Sequence, residues 1–123
     1  MATVMVVDDM ETSRKVVSKL LSSDGHLPVC AKNGLDALSV LQHVKPDVIL
    51  LDIMMPVMDG LTFLEIIRQS PQWQAVPVIL MTAMTDSKSM SKARQLGAKE
   101  YLVKASFTGA EMLDQVQRLA RHQ

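Results

Sequence analysis

The sequence predicts an α/β fold, a doubly wound (βα)5 sandwich of three layers around a five-stranded parallel sheet. Three observations lead there. Short apolar runs rich in β-branched residues recur along the chain and read as buried strands. Between them apolar residues fall at helical spacing, which marks amphipathic helices. Strand and helix alternate five times, with connections too short for anything but right-handed crossovers onto a parallel sheet.

The elements follow in order. Val4 to Val7 is the first strand, and Val16, Val17, Leu20 and Leu21 give the first helix its apolar face. Leu27 to Ala31 is a weaker run, as an edge strand would be, and Leu35, Leu38 and Leu41 mark the second helix. Val48 to Leu51 is the third strand, followed by a helix with Leu61, Leu64 and Ile67. Val76 to Met81 is the fourth, and Met90, Ala93 and Leu96 before Gly97 give a shorter helix. Tyr101 to Val103 is the fifth, and Met112, Leu113, Val116, Leu119 and Ala120 form the last helical face. Thr108 and Glu111 have the spacing of a capping box there, with Phe107 and Met112 at the positions of a hydrophobic staple. Gly25, Gly60 and Gly97, with Pro28, Pro46, Pro56 and Pro77, punctuate the turns.

The 123 residues, 48% hydrophobic and 21% charged, suit one domain over residues 1–123. A chain of this size buries roughly two thirds of its surface, enough for a core without metal or disulfide. Thirteen Lys and Arg against 13 Asp and Glu leave no broad electrostatic footprint for nucleic acid or anionic lipid. The single Cys30 cannot form an internal disulfide. The N-terminus turns acidic too soon for a signal peptide, and no apolar run approaches a membrane span. A cytoplasmic protein without membrane or DNA-binding segments is expected.

In open sheets of this type, ligands bind beyond the carboxyl ends of the strands. The residues there are Asp8 and Asp9 after the first strand, Asp52 after the third, Thr82 after the fourth and Lys104 after the fifth. Adjacent strand residues point to opposite faces, so Asp8 and Asp9 can share a site only if the chain turns there, as a helix beginning near Met10 requires. Two unit charges 4 Å apart repel by about 4 kcal/mol at an effective dielectric of 20, so three converging carboxylates hold a proton or recruit a cation. Mg²⁺ fits best, because it takes one or two carboxylates, keeps several waters and leaves room for a phosphoryl oxygen. Lys104 and Thr82 then read as a charge and a hydroxyl for the remaining phosphoryl oxygens. Asp52, held rigidly behind the buried strand Val48 to Leu51, is the candidate nucleophile that would become an aspartyl phosphate. The loop Asp-Asp-Met-Glu-Thr-Ser-Arg has no glycine, which excludes the backbone nests of P-loop and dinucleotide sites.

Four segments carry a family likeness: Val-Val-Asp-Asp at 6–9, Leu-Leu-Asp-Ile-Met-Met-Pro-Val-Met-Asp-Gly at 50–60, Met-Thr-Ala at 81–83 and Tyr-Leu-Val-Lys at 101–104. Together they resemble the receiver domain of two-component response regulators, over essentially the whole chain. The resemblance implies a flavodoxin-like sheet in the order 2-1-3-4-5, for which a chemotaxis member of this family is a standing example. It implies that Asp52 is the phosphoacceptor, supplied from the phosphohistidine of a sensor histidine kinase or a histidine phosphotransfer protein. Asp8 and Asp9 would be the Mg²⁺ pair, with Asp52 and the carbonyl of Met54 completing the protein ligands. Thr82 would be the switch hydroxyl, Tyr101 the aromatic whose rotamer follows it, and Lys104 the phosphate-contacting lysine. Met54, Ala83 and Met84 would flank the phosphoryl group, and bulky methionines there would slow an attacking water. Phosphorylation would bias a two-state equilibrium at the face made by the fourth helix, fifth strand and fifth helix, signalling to a downstream protein by contact as a monomer or a phosphorylation-dependent dimer. The protein would not be an enzyme beyond catalysing its own phosphotransfer and dephosphorylation. Receivers commonly have proline after this lysine; here Ala105 follows, and a trans Lys104–Ala105 peptide is expected because a cis bond to a non-proline costs about 3 to 4 kcal/mol.

Plainer readings compete. The acidic pair could merely cap the first helix, Thr82 could cap the fourth, and Lys104 or Tyr101 alone would be ordinary surface or sheet residues. A phosphorelay intermediate or an idle, phosphorylation-independent scaffold would share the fold. An aspartate-nucleophile phosphatase needs a second acid two residues after the nucleophile, where this chain has Met54. Cys30 reads as a small strand residue, the ten methionines mainly as core, His26, His43 and His122 as surface residues, and Trp73 as a shield over the fourth strand.

Overall fold

The computed structural model describes residues 1–83, 87–98 and 100–121. Met84 and His122 therefore lie outside the described residues. Strands β1 (Thr3–Val7), β2 (Leu27–Ala31), β3 (Val48–Asp52), β4 (Val78–Thr82) and β5 (Glu100–Val103) alternate with helices α1 (Glu11–Ser23), α2 (Gly34–Leu41), α3 (Gly60–Arg68), α4 (Ser87–Gln95) and α5 (Gly109–Arg121). The strands form one parallel sheet in the order β2-β1-β3-β4-β5. This is the doubly wound, flavodoxin-like arrangement that the family resemblance implies.

Strand parity sorts the core into two halves. Met5, Val7, Ile49, Leu51, Val78 and Leu80 pack with Phe63, Leu64 and Ile67 of α3, with Ala37 and Leu41 of α2 and with Ala93 of α4. Val4, Val6, Val48, Leu50, Ile79, Met81 and Leu102 pack with Val17 and Leu21 of α1 and Met112 and Val116 of α5. Every residue of β3 and β4 is buried, because both faces of a central strand are covered. The edge strand β2 is mostly half-buried or exposed, which accounts for its weak apolar signal.

The helix ends use local chemistry. Asn33 caps α2 by accepting from the Asp36 amide at 2.8 Å, and Asp59 caps α3 by accepting from Thr62 at 2.8 Å. At α5 the Glu111 amide donates to the Thr108 hydroxyl at 3.1 Å, while that hydroxyl donates to the Glu111 carboxylate at 3.3 Å, so the box closes side chain to side chain. Phe107 and Met112 pack in the same apolar cluster, as a staple requires. After α1 the chain turns at Gly25, whose φ of 83° is open to glycine at no steric cost.

Several expectations need correction. β4 starts at Val78, not Val76: the Val76 amide is taken by the Trp73 carbonyl at 3.1 Å and its carbonyl by the Arg68 guanidinium at 2.8 Å, leaving neither for the ladder. Pro28 lies within β2, an edge strand that tolerates a missing N–H. Gly60 opens α3 instead of sitting in a turn. His26 is not a surface residue. Its side chain is only 6% exposed, and Nδ1 accepts the Ala2 amide at 3.0 Å. His43 is exposed, and Trp73 is half-buried against the α2–α4 side of the core. Cys30 is on β2 but faces solvent, with Sγ 3.1 Å from the Ser18 hydroxyl. Among the described residues no peptide bond is cis, so Lys104–Ala105 is trans as expected. None of their helices is long and apolar enough to cross a membrane.

Candidate functional site

Parity explains why polar groups meet at one edge of the sheet. Asp8 continues the series Val4, Val6, and Asp52 continues Val48, Leu50, all on the α1/α5 side. Lys104 follows Leu102 on that same side. Ala83, one residue past the end of β4, has the parity of Ile79 and Met81 on that side. The ammonium arrives between two carboxylates: Nζ is 2.9 Å from Asp8 Oδ2 and 3.1 Å from Asp52 Oδ2.

Asp8 is fully buried and Asp52 only 4% exposed, whereas Asp9 faces solvent. One carboxylate oxygen from each of the three lies within 4.8 Å of the others. Backbone amides fix two of them. Met10 donates to Asp8 Oδ1 at 2.9 Å, and Met54 donates to Asp52 Oδ1 at 3.2 Å. Asp8 Oδ2 is buried, with the Lys104 ammonium as its ion-pair partner.

Burial pushes Asp8 up, but the Ser13 hydroxyl, the Met10 amide and Lys104 outweigh it and hold this carboxyl below its ordinary value. At Asp52 burial wins over the Lys104 charge, and the neighbouring Asp8 charge adds to it, so this carboxyl is pushed up to about 6. Burial would lower the Lys104 ammonium, yet its two carboxylate partners hold it above the ordinary lysine value. The donor set fits a hard divalent cation: three carboxylates converge, and among the described residues the Lys104 ammonium is the one cation in contact with those of Asp8 and Asp52.

A raised folded-state value means that the native protein holds the proton on Asp52 more tightly than the unfolded chain does. The stability this contributes is whole below the ordinary value of 3.8 and is lost as pH rises through about 6. A rise of that size is worth about 3 kcal/mol. Asparagine avoids this cost but forfeits a charge-assisted bond to Lys104, so Asp52→Asn is expected to stabilise the metal-free protein by about 1 to 2 kcal/mol at pH 7.5. The gain should shrink towards pH 4. Urea midpoints of both proteins across this range check it, and equal midpoints at pH 7.5 would count against a strained carboxylate.

Thr82 is buried at the end of β4, and its carbonyl accepts the Lys104 amide at 2.8 Å, which staples the two strand ends together. Tyr101 stands apart on edge strand β5, half exposed, its carbonyl accepting from Gln115 at 3.4 Å. Met54 is 75% exposed at the rim of the acidic cluster. Beside it Val57 has a φ of 70°, in a tight turn where the Met58 amide reaches the Pro56 carbonyl at 2.8 Å. Two participants escaped the sequence reading: Arg14, whose guanidinium donates to the Asp8 carbonyl at 2.7 Å, and Gly60, which packs on the Asp52 backbone. The arginine closing the acidic loop and the Asp-Gly pair at 59–60 were the available signals.

The model of the response regulator receiver domain matches residues 4–117. The chain belongs to the response regulator receiver domain family. This receiver superposes on the Vibrio cholerae chemotaxis protein CheY4 with a TM-score of 0.89 and 34% identity, covering 97% of this chain and 98% of that one. It is 34% identical over 110 residues to protein PilG of Pseudomonas aeruginosa, covering 89% of this chain and 81% of PilG. It is 39% identical over 107 residues to protein-glutamate methylesterase/protein-glutamine glutaminase 1 of Syntrophomonas wolfei, covering 84% of this chain and 30% of that protein. The receiver thus corresponds to most of PilG and to less than a third of the methylesterase. Receivers act in two-component signalling and bind Mg²⁺ at an acidic site, and Asp8, Asp9 and Asp52 form an acidic cluster that could hold such an ion.

Proposed function

We propose that residues 1–123 act as one receiver unit that accepts a phosphoryl group on Asp52 and signals through protein contact. The observation that carries this reading is the Lys104 ammonium held between Asp8 and Asp52 beside Asp9, at the carboxyl edge of a receiver sheet. Asp8, Asp9, Asp52 and the Met54 carbonyl would hold Mg²⁺, whose charge, when bound, lets two anions approach. An Asp52 oxygen attacks phosphorus, the bond to the donor imidazole of a histidine kinase or histidine phosphotransfer protein breaks, and the imidazole leaves. Lys104 moves from carboxylate to phosphoryl oxygen, and the Thr82 hydroxyl closes from the opposite side. Because the Thr82 carbonyl holds the Lys104 amide, movement at either residue is felt by β4 and β5 together, and so at Tyr101 and the α4-β5-α5 face. The downstream protein target reads that face in the cytoplasm.

The test is intact mass after incubation with acetyl phosphate, with and without Mg²⁺, for the parent and Asp52→Asn. One phosphoryl adduct that requires both Mg²⁺ and Asp52 is expected. An adduct persisting in Asp52→Asn, or none with a histidine kinase as donor, would refute the reading. Met54 at the rim, with Met84 two positions after Thr82 in the sequence, is expected to hinder an attacking water, so the adduct should last minutes or longer after the donor is removed. Decay within seconds would count against that shielding.

A further inference from the structure

We infer that Arg14 is a positioning residue, whose guanidinium clamps the backbone turn that brings Asp8 and Asp9 into one cation site. The inference rests on the metal reading above and adds a residue to it. Neighbouring residues in a strand point to opposite faces, so these two carboxylates converge only if the chain leaves strand geometry between them. The hydrogen bonds show where it leaves. The Asp8 amide still belongs to the sheet and donates to Ala31 at 3.1 Å. The Asp8 carbonyl does not, because it accepts from Arg14 Nη1 at 2.7 Å. Downstream, the Met10 amide turns back to Asp8 Oδ1 at 2.9 Å, and the Arg14 amide donates to the Met10 carbonyl at 3.0 Å. Met10, at the N-cap of α1, supplies no side-chain cap. The guanidinium therefore ties the first turn of the helix to the residue at which the strand ends.

Arg14 as a mere cation and Arg14 as a clamp have opposite effects on a bound metal. A positive charge beside a cation site repels the ion and weakens binding. A clamp that pre-forms the site strengthens it, as outer partners of metal ligands do. Lysine separates the two, since it keeps the charge but replaces the planar fork with a point donor on a different stem.

The experiment is a Mg²⁺ titration followed by amide chemical shifts in the parent, Arg14→Lys and Arg14→Met, with hydrogen exchange of the Met10 and Arg14 amides measured without metal. The clamp predicts about tenfold weaker Mg²⁺ binding in both variants. It also predicts faster exchange at both amides while the urea midpoint stays within the range of a surface substitution. Tighter Mg²⁺ binding in Arg14→Met, with Arg14→Lys unchanged, would overturn it and leave Arg14 a bystander charge. Should Arg14→Met fail to fold, Arg14→Lys decides alone. If the parent shows no Mg²⁺-dependent shifts, the metal reading fails, and the exchange rates still decide the clamp: unchanged rates in Arg14→Lys refute it, faster rates support it.

Discussion

Replacing Gly60 by alanine is expected to destabilise the domain by about 3 kcal/mol or more, at the upper end of overpacking costs. A Cβ at this position would press into the Asp52 carbonyl oxygen and lie 2.8 Å from Ile53 Cα and 3.0 Å from the Asp52 carbonyl carbon. These are backbone atoms of a strand end buried on both sides, so no side chain can swing away. The Gly60 amide also donates to the Ile53 carbonyl at 2.9 Å, which fixes the helix against the strand at this separation. Relief requires α3 to back off, weakening the packing of Phe63 and Leu64, or Asp52 to shift away from Lys104. Out of a total stability of roughly 5 to 15 kcal/mol, the loss is large. Gly25→Ala supplies the contrast, because nothing lies within 4 Å of its added Cβ and only the φ of 83° is unfavourable. That variant should lose about 1 kcal/mol. Urea unfolding of both checks the pair, and a Gly60→Ala loss below 1 kcal/mol would show that helix and strand are not locked together.

Lys104→Met should give the second large effect, on both chemistry and pH dependence. Methionine roughly keeps the bulk of the stem but removes the cation that contacts Asp8 and Asp52. Breaking a buried pair by deleting one partner costs about 3 to 5 kcal/mol when the stranded charge stays charged. Here it need not, because one carboxyl can take a proton. Without the ammonium the folded-state value of the carboxyl pair rises, so the native state binds that proton more tightly than the unfolded chain. The variant is then close to the parent near pH 5 and falls behind as pH rises towards 8. Mg²⁺ should restore much of the difference at pH 8, since a cation returns to the site. Phosphoryl adduct formation is expected to slow by about a hundredfold or more, the usual loss for removing one preorganised donor to developing charge. Midpoints at pH 5 and 8 with and without Mg²⁺, together with adduct formation rates, check both expectations. Parallel pH profiles for parent and variant would refute the electrostatic account.

The sequence revealed what short-range pattern encodes. Apolar runs and helical spacing gave all ten elements, and the polar residues closing four strands gave Asp8, Asp9, Asp52, Thr82 and Lys104 as a shared edge. What it hid depends on contacts between distant segments. Val76 looks like a strand residue until Arg68, from the preceding helix, takes its carbonyl. His26 looks like a surface residue until the Ala2 amide, 24 positions away, claims its ring nitrogen. Gly60 looks like a turn residue, and its requirement is visible only where α3 meets the end of β3. Arg14 looks like one more helical charge, because nothing in spacing alone says that its side chain reaches back six residues.

The parity of the strands makes the site a matter of counting. Asp8 and Asp52 face one another because each stands an even number of positions from its neighbours on the α1/α5 side. Losing or gaining a single residue inside β1 or β3 would leave composition almost untouched, yet it would turn a carboxylate to the opposite layer. Substitutions within these strands can be absorbed by repacking, whereas a one-residue indel cannot be without a bulge. In related chains the distance in residues from strand to acid should therefore vary less than the strand sequences themselves.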